Sequence, residues 1–138
     1  MFRVAITCLL TFSLSLPAMA ADKHTSFLKH SYTAAYGVQR PSVKVSCFPP
    51  KLQAILYHIA QTTGHKLVIT SGKRPHSGTS QHHHCNAADF RIPGVSEKRI
   101  LAAARSAPGI GGIGRYCNGM VHVDVGPRRK WAHCGRHK

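Results

Sequence analysis

Apolar positions along the chain change spacing several times, and the changes mark its elements. Leu52, Ile55, Leu56 and Ile59 recur at helical spacing after Pro49-Pro50, and Gly64 closes the run, which predicts a core-packing helix. Lys66 to Thr70, KLVIT, is a short apolar run that predicts a buried strand. Residues 75–85 are rich in Gly, Ser and His and predict a loop. Ala87 to Ile92 predicts a second strand, stopped by Pro93-Gly94. Ser96 then suits a helix cap with Glu97 in the first turn, where its charge meets the positive end of the helix dipole. Ile100, Leu101 and Ala104 form the apolar face of that helix, and Pro108-Gly109 ends it. Ile110 to Tyr116 carries three glycines and predicts an irregular strand or bulged turn. Asn118-Gly119 is a hairpin signal, so Met120 to Val125 returns as a strand beside it until Gly126-Pro127. The basic tail from Arg128 is expected to be tied down by Cys134 and by packing of Trp131. Residues 21–46 are polar and irregular, with weak strand character at Val43 to Val45. The expected fold class is α+β: a small, mainly antiparallel sheet with two helices.

The longest apolar run stands outside this scheme. Val4 to Leu16 follows a basic start at Arg3 and precedes Pro17-Ala18-Met19-Ala20, a small-x-small cleavage pattern. Residues 1–20 are therefore expected to be a signal peptide, and the run is shorter than the ~20 apolar residues a membrane span needs. Cleavage leaves an N-terminal extension over 21–48 and one domain over 49–138, expected as a monomer with no membrane span. A periplasmic or secreted location follows. Only Arg3 of the 19 Lys and Arg lies in the leader, while all four acidic residues lie beyond it, so the mature chain keeps nearly all of the +15 charge. That balance favours polyanionic partners such as cell-wall polymers. Nucleic acid is not expected: no aromatic-interleaved basic motif is present, and export removes the chain from the genome. Four of the five cysteines follow the leader, an even number in an oxidising compartment. Three connectivities are possible. Cys117 with Cys134 is favoured because the two bracket a second motif described below, which leaves Cys47 with Cys85.

Candidate chemistry centres on Ser80 to Asp89, SQHHHCNAAD. His82 precedes Asp89 by seven residues, which lets the loop fold back so that both reach one ion. In Val121-His122-Val123-Asp124-Val125, alternation puts the valines on one strand face and His122 with Asp124 on the other. His82, Asp89 and His122 then form a His, Asp, His set with a fourth position left for water, the open arrangement of a catalytic zinc site. The plainer alternatives are a loose histidine-rich surface and a hydrogen-bonded His–Asp pair. A cysteine-ligated zinc site lacks the C-x-x-C spacing that would support it.

Several short motifs occur in order: Ile69-Thr70-Ser71-Gly72-Lys73-Arg74, Ser80-x-His82 with Ala87-x-Asp89, Gly112-Ile113-Gly114 with Tyr116, then Val121 to Pro127, and Trp131. This order resembles the zinc D-alanyl-D-alanine carboxypeptidase-like family of murein peptidases, over about residues 49–131, and its small periplasmic branch in particular. The resemblance implies a hedgehog/D-Ala-D-Ala-peptidase-like fold, Zn2+ held by His82, Asp89 and His122, and peptidoglycan peptide as substrate. It also implies that Arg74 binds a carboxylate or carbonyl of the stem peptide, as a planar bidentate donor suits, and that Ser80 contacts substrate or supports the ligands. Two positions depart from the family pattern. Gly119 stands where many relatives carry a general-base Glu, so Asp124 is expected either to relay the proton or to orient His122. Cys85 stands where the family usually has Gly. The expected function is an exported zinc metallopeptidase, a carboxypeptidase or endopeptidase, that hydrolyses amide bonds in stem peptides or cross-links. A non-catalytic zinc-containing wall-binding module and a metal-sequestering protein are the rival readings.

Overall fold

A computed structural model describes residues 34–134. The expected leader and residues 21–33 of the N-terminal extension lie outside the described residues. Among the described residues, no helix is long and apolar enough to cross a membrane.

Two helices and six strands follow one another as β1 (Tyr36–Val38), α1 (Pro50–Thr63), β2 (Leu67–Ser71), β3 (Ala87–Arg91), α2 (Glu97–Ser106), β4 (Gly112–Tyr116), β5 (Val121–Asp124) and β6 (Arg129–His133). Helix α1 starts where proline at its first position needs no hydrogen-bond donor. It ends at Gly64, whose φ of 72° suits a residue without a Cβ. Its stripe of Leu52, Ile55, Leu56 and Ile59 is wholly buried. Helix α2 is capped by Ser96, whose hydroxyl accepts the Arg99 N–H at 3.4 Å.

The sheet order is β1-β2-β3-β5-β4-β6. The β2–β3, β3–β5 and β5–β4 pairings are antiparallel, but both edges are parallel: β1 on β2, and β6 on β4. The sheet is therefore mixed, which corrects the expected mainly antiparallel one. At one edge, α1 is the crossover that parallel pairing requires. At the other, the chain passes the start of β4 by crossing Gly111 at Gly126, where a Cβ on Gly111 would collide with the Gly126 carbonyl. The expected strand character at Val43 to Val45 is also corrected: those residues pair with no strand.

Period-two alternation divides the sheet into two faces. Ile69, Ala88, Phe90, Ile113, Val121 and Val123 join the buried stripes of both helices in one core. The register sets Asp89 beside His122, His122 beside Gly114, and Gly114 beside Trp131 on the other face. The helices thus cover one side of the sheet, and the polar residues gather on the side they leave open.

Candidate metal centre

Three elements bring His82, Asp89 and His122 together. His82 comes from the loop before β3, Asp89 from the middle of β3, and His122 from the neighbouring position on β5. All three are buried. Nε2 of His82, Oδ1 of Asp89 and Nδ1 of His122 form a triangle with sides of 3.3, 2.8 and 3.2 Å.

The outer bonds of the two imidazoles fix what these atoms offer. Nδ1–H of His82 donates to the Gly72 carbonyl at 2.7 Å, so Nε2 carries a lone pair. Nε2–H of His122 donates to Asp124 Oδ2 at 2.9 Å, so Nδ1 carries a lone pair. With both rings neutral, two imidazole lone pairs and a carboxylate oxygen face one another, an arrangement that takes up a cation, either a metal ion or the proton that otherwise joins His122 to Asp89. Tetrahedral zinc with bonds near 2.0–2.1 Å sets its ligand atoms roughly 3.3–3.4 Å apart, close to the edges of this triangle. The residues present therefore fit a metal ion, and among the described residues they are the one such His, Cys, Asp and Glu group.

Electrostatics agree with the geometry. Burial alone would raise the Asp89 carboxyl, but hydrogen bonds from His122 and His82, with their charge, hold it well below the usual carboxylate range. Burial would lower the His122 imidazole, yet hydrogen bonds to Asp124 and Asp89 and the charge of both carboxylates push it up. A position flanked by two carboxylates attracts positive charge, and a proton is the competitor of a metal there.

Asp124 is wholly enclosed and both its oxygens are engaged. Oδ1 accepts the N–H groups of Gly112 at 2.9 Å and Gly126 at 2.8 Å, and Oδ2 accepts from His122 and from Arg129 Nη2 at 2.7 Å. Burial opposes ionisation, but the His122 and backbone bonds outweigh it and bring Asp124 down to about 2. Two glycines make the room for this. A Cβ on Gly112 would collide with the Asp124 carboxylate, and one on Gly114 would lie 2.5 Å from the Trp131 ring. Trp131 packs on His122 with ring centroids 4.8 Å apart, and the Arg129 guanidinium lies 4.9 Å over the Trp131 ring.

The remaining candidates surround this centre. Arg74 is exposed, and among the described residues its guanidinium makes no ion pair or side-chain hydrogen bond. Its charge reaches Tyr116, whose hydroxyl is raised by burial and by Asp89 and lowered by Arg74. Ser80 accepts the His82 N–H at 3.3 Å through its hydroxyl, which places it on the ligand loop. His83 and His84 pack on each other and do not join the triangle. The cysteines pair as Cys47–Cys85 and Cys117–Cys134. A cavity of about 430 Å³ lined by Ala35, Tyr57, Ala60 and Lys66 shares no residue with the centre.

Sequence reasoning did not find the Gly72 carbonyl, Arg129 or the placement of Tyr116. Gly72 acts through its backbone carbonyl, and Arg129 reaches Asp124 because the chain turns back between β5 and β6. Tyr116 had a signal available, because two-residue steps along the strand from Gly112 through Gly114 lead to it.

A His, Asp, His cluster on the open face of a two-layer α+β domain defines a class, a protein able to hold a metal ion between sheet and loop. The family model described as Peptidoglycan L,D-endopeptidase MepK, a peptidase family, matches residues 62–131, about half of the chain, and the chain belongs to this family. The matched span contains all three cluster residues, Arg74, Asp124 and Trp131. No curated protein matches the sequence.

Proposed function

We propose that this protein is an exported zinc peptidase that hydrolyses an amide bond in peptidoglycan peptides, with internal L,D bonds as the favoured target. The observation that carries the reading is the triangle of lone-pair atoms on His82, Asp89 and His122, within the span matched by a peptidoglycan endopeptidase family. Zinc held there supplies Lewis acidity, which polarises a carbonyl and acidifies water.

The chain's own residues do the rest. The Gly72 carbonyl and Asp124 fix both imidazole tautomers, so that the ligand atoms are preset before substrate arrives. Asp124 has no oxygen directed at the open face, so of its two expected roles the geometry favours orienting His122 over relaying a proton. Arg74 offers an unpaired guanidinium to a carboxylate or carbonyl of the stem peptide. Tyr116 brings a hydroxyl into the field of both Asp89 and Arg74, where it can hydrogen-bond the polarised oxygen. Arg105, Arg128 and Lys130 gather where β6 meets α2, and this positive face supports retention on an anionic wall. Two disulfides suit an oxidising compartment.

Purified protein, loaded with zinc and separately stripped of it, is to be incubated with muropeptides that contain either L,D or D,D bonds, and the products weighed by mass spectrometry. Zinc-dependent cleavage of an internal bond is expected. A folded, zinc-loaded sample that leaves every substrate intact would contradict the reading and favour a wall-binding module instead.

A further inference from the structure

The segment before α1 touches both sides of His82. On one side, the Gly72 carbonyl accepts the His82 ring N–H at 2.7 Å. The next peptide is held by the same segment: Lys73 N–H donates to the Lys44 carbonyl at 2.9 Å. Gly72 lies so close to that carbonyl that a Cβ would collide with it, and the Phe48 ring would be 3.3 Å away. On the other side, Cys85 N–H donates to the His82 carbonyl at 3.2 Å, and the Cys85 sulfur is bonded to Cys47. Residues 44–48 therefore contact the peptide that orients the imidazole and the turn that carries it.

Cys85 makes the arrangement more specific. Its φ is 61°, and among the described residues it is the one non-glycine at positive φ. That conformation disfavours any side chain by about 1–2 kcal/mol, and a glycine would hold the same turn without the penalty. A buried cysteine at such a position is explained by a need for its bond to Cys47.

We propose that the strap over residues 44–48, pinned by the Cys47–Cys85 disulfide, is a positioning element of the metal centre that presets His82. The proposal rests on the metal-binding reading above. The Cys117–Cys134 bridge is its internal control. It joins the ends of β4 and β6 and is adjacent to none of the three ligand residues.

Zinc affinity is to be measured by competition with a chromophoric chelator, with thermal melts of the metal-free proteins as a check on folding. Alanine replacements are used because free thiolates ligate zinc themselves. Cys47→Ala/Cys85→Ala and Cys47→Ala/Cys85→Gly are each expected to bind zinc about 10–100-fold more weakly, the usual effect of removing an outer support of a ligand. Cys117→Ala/Cys134→Ala is expected to stay within ~2-fold of wild type, since that bridge joins the ends of β4 and β6 and supports none of the ligand residues, so its loss acts mainly on the unfolded chain. Equal weakening by both bridge removals overturns the proposal, and so does unchanged affinity in Cys47→Ala/Cys85→Ala. Recovery of wild-type affinity in the Gly variant also overturns it, because the bridge would then only offset the cost of the turn. If the first two variants fail to melt cooperatively, Gly72→Ala decides with the bridge intact, and wild-type zinc affinity in that variant rejects the strap. A wild-type protein that binds no zinc sinks the proposed function and this inference together. Binding that is indifferent to the strap sinks only the inference.

Discussion

Replacing Asp124 by Asn separates the two roles open to this residue. The carboxylate accepts from His122 Nε2 at 2.9 Å, from the backbone of Gly112 and Gly126, and from Arg129 at 2.7 Å. An amide has one acceptor oxygen. If that oxygen stays on the two glycine N–H groups, the NH2 faces two donors, His122 and Arg129. The contact is relieved when His122 moves its proton to Nδ1, which removes the lone pair that points into the centre. Zinc affinity should then fall at least 10–100-fold. Stability should fall as well. The lost charge-assisted bonds are worth ~1.5–3 kcal/mol each when enclosed. Arg129 is 42% exposed, so its share is discounted, and a net loss of about 2–3 kcal/mol is expected. That corresponds to a melting temperature lower by roughly 10–20 °C for a domain of this size. The assays are chelator competition for zinc and a thermal melt of the metal-free protein. Wild-type zinc affinity combined with lost turnover would refute the reasoning, because it would make Asp124 a proton relay.

Three further outcomes follow from the same geometry. Gly114→Ala places a methyl 2.5 Å from the Trp131 ring and should destabilise the domain by about 1–3 kcal/mol; the Trp131 fluorescence should change with it, and an unaltered melt and spectrum would count against the packing described. Arg74→Lys should raise KM or lower kcat for muropeptides while zinc affinity stays unchanged, because the planar donor is lost and no ligand is touched; a fall in zinc affinity would contradict this. Asp124 is lowered to about 2 from 3.8, so its contribution is fully present above 3.8 and is lost as pH falls toward 2. Acid unfolding of the metal-free protein should show about 2 kcal/mol from this group, and Asp124→Asn should flatten that part of the curve.

Much of the scaffold was legible because local pattern determines it. Leu52, Ile55, Leu56 and Ile59 recur at the helical period, Pro50 and Gly64 mark the ends of α1, and Ser96 marks the start of α2. The alternation in Val121 to Asp124 separates a core face from a polar face without any tertiary information. The parallel edges were not legible. β1 has three residues and no buried side chain, and β6 is mostly exposed, so neither carries an alternation signal; their pairing is set by a helical crossover and by the Gly111–Gly126 crossing. At the centre, the residue types of His82, Asp89 and His122 drew attention to themselves. What fixes their tautomers did not, because Gly72 acts through a backbone carbonyl and Arg129 reaches Asp124 from the neighbouring edge. The three glycines in Ile110 to Tyr116 predict an irregular strand or bulged turn. Gly112 and Gly114 are the spaces that admit the Asp124 carboxylate and the Trp131 ring.

The central claim is that one metal ion sits between His82, Asp89 and His122, and X-ray absorption at the zinc edge of the loaded protein tests it most directly. The account predicts one zinc per chain with two imidazoles and oxygen ligands at about 2.0–2.2 Å, and loss of the bound ion in Asp89→Ala. A sulfur shell near 2.3 Å, or a shell of three or more imidazoles drawn from His83 and His84, would contradict it.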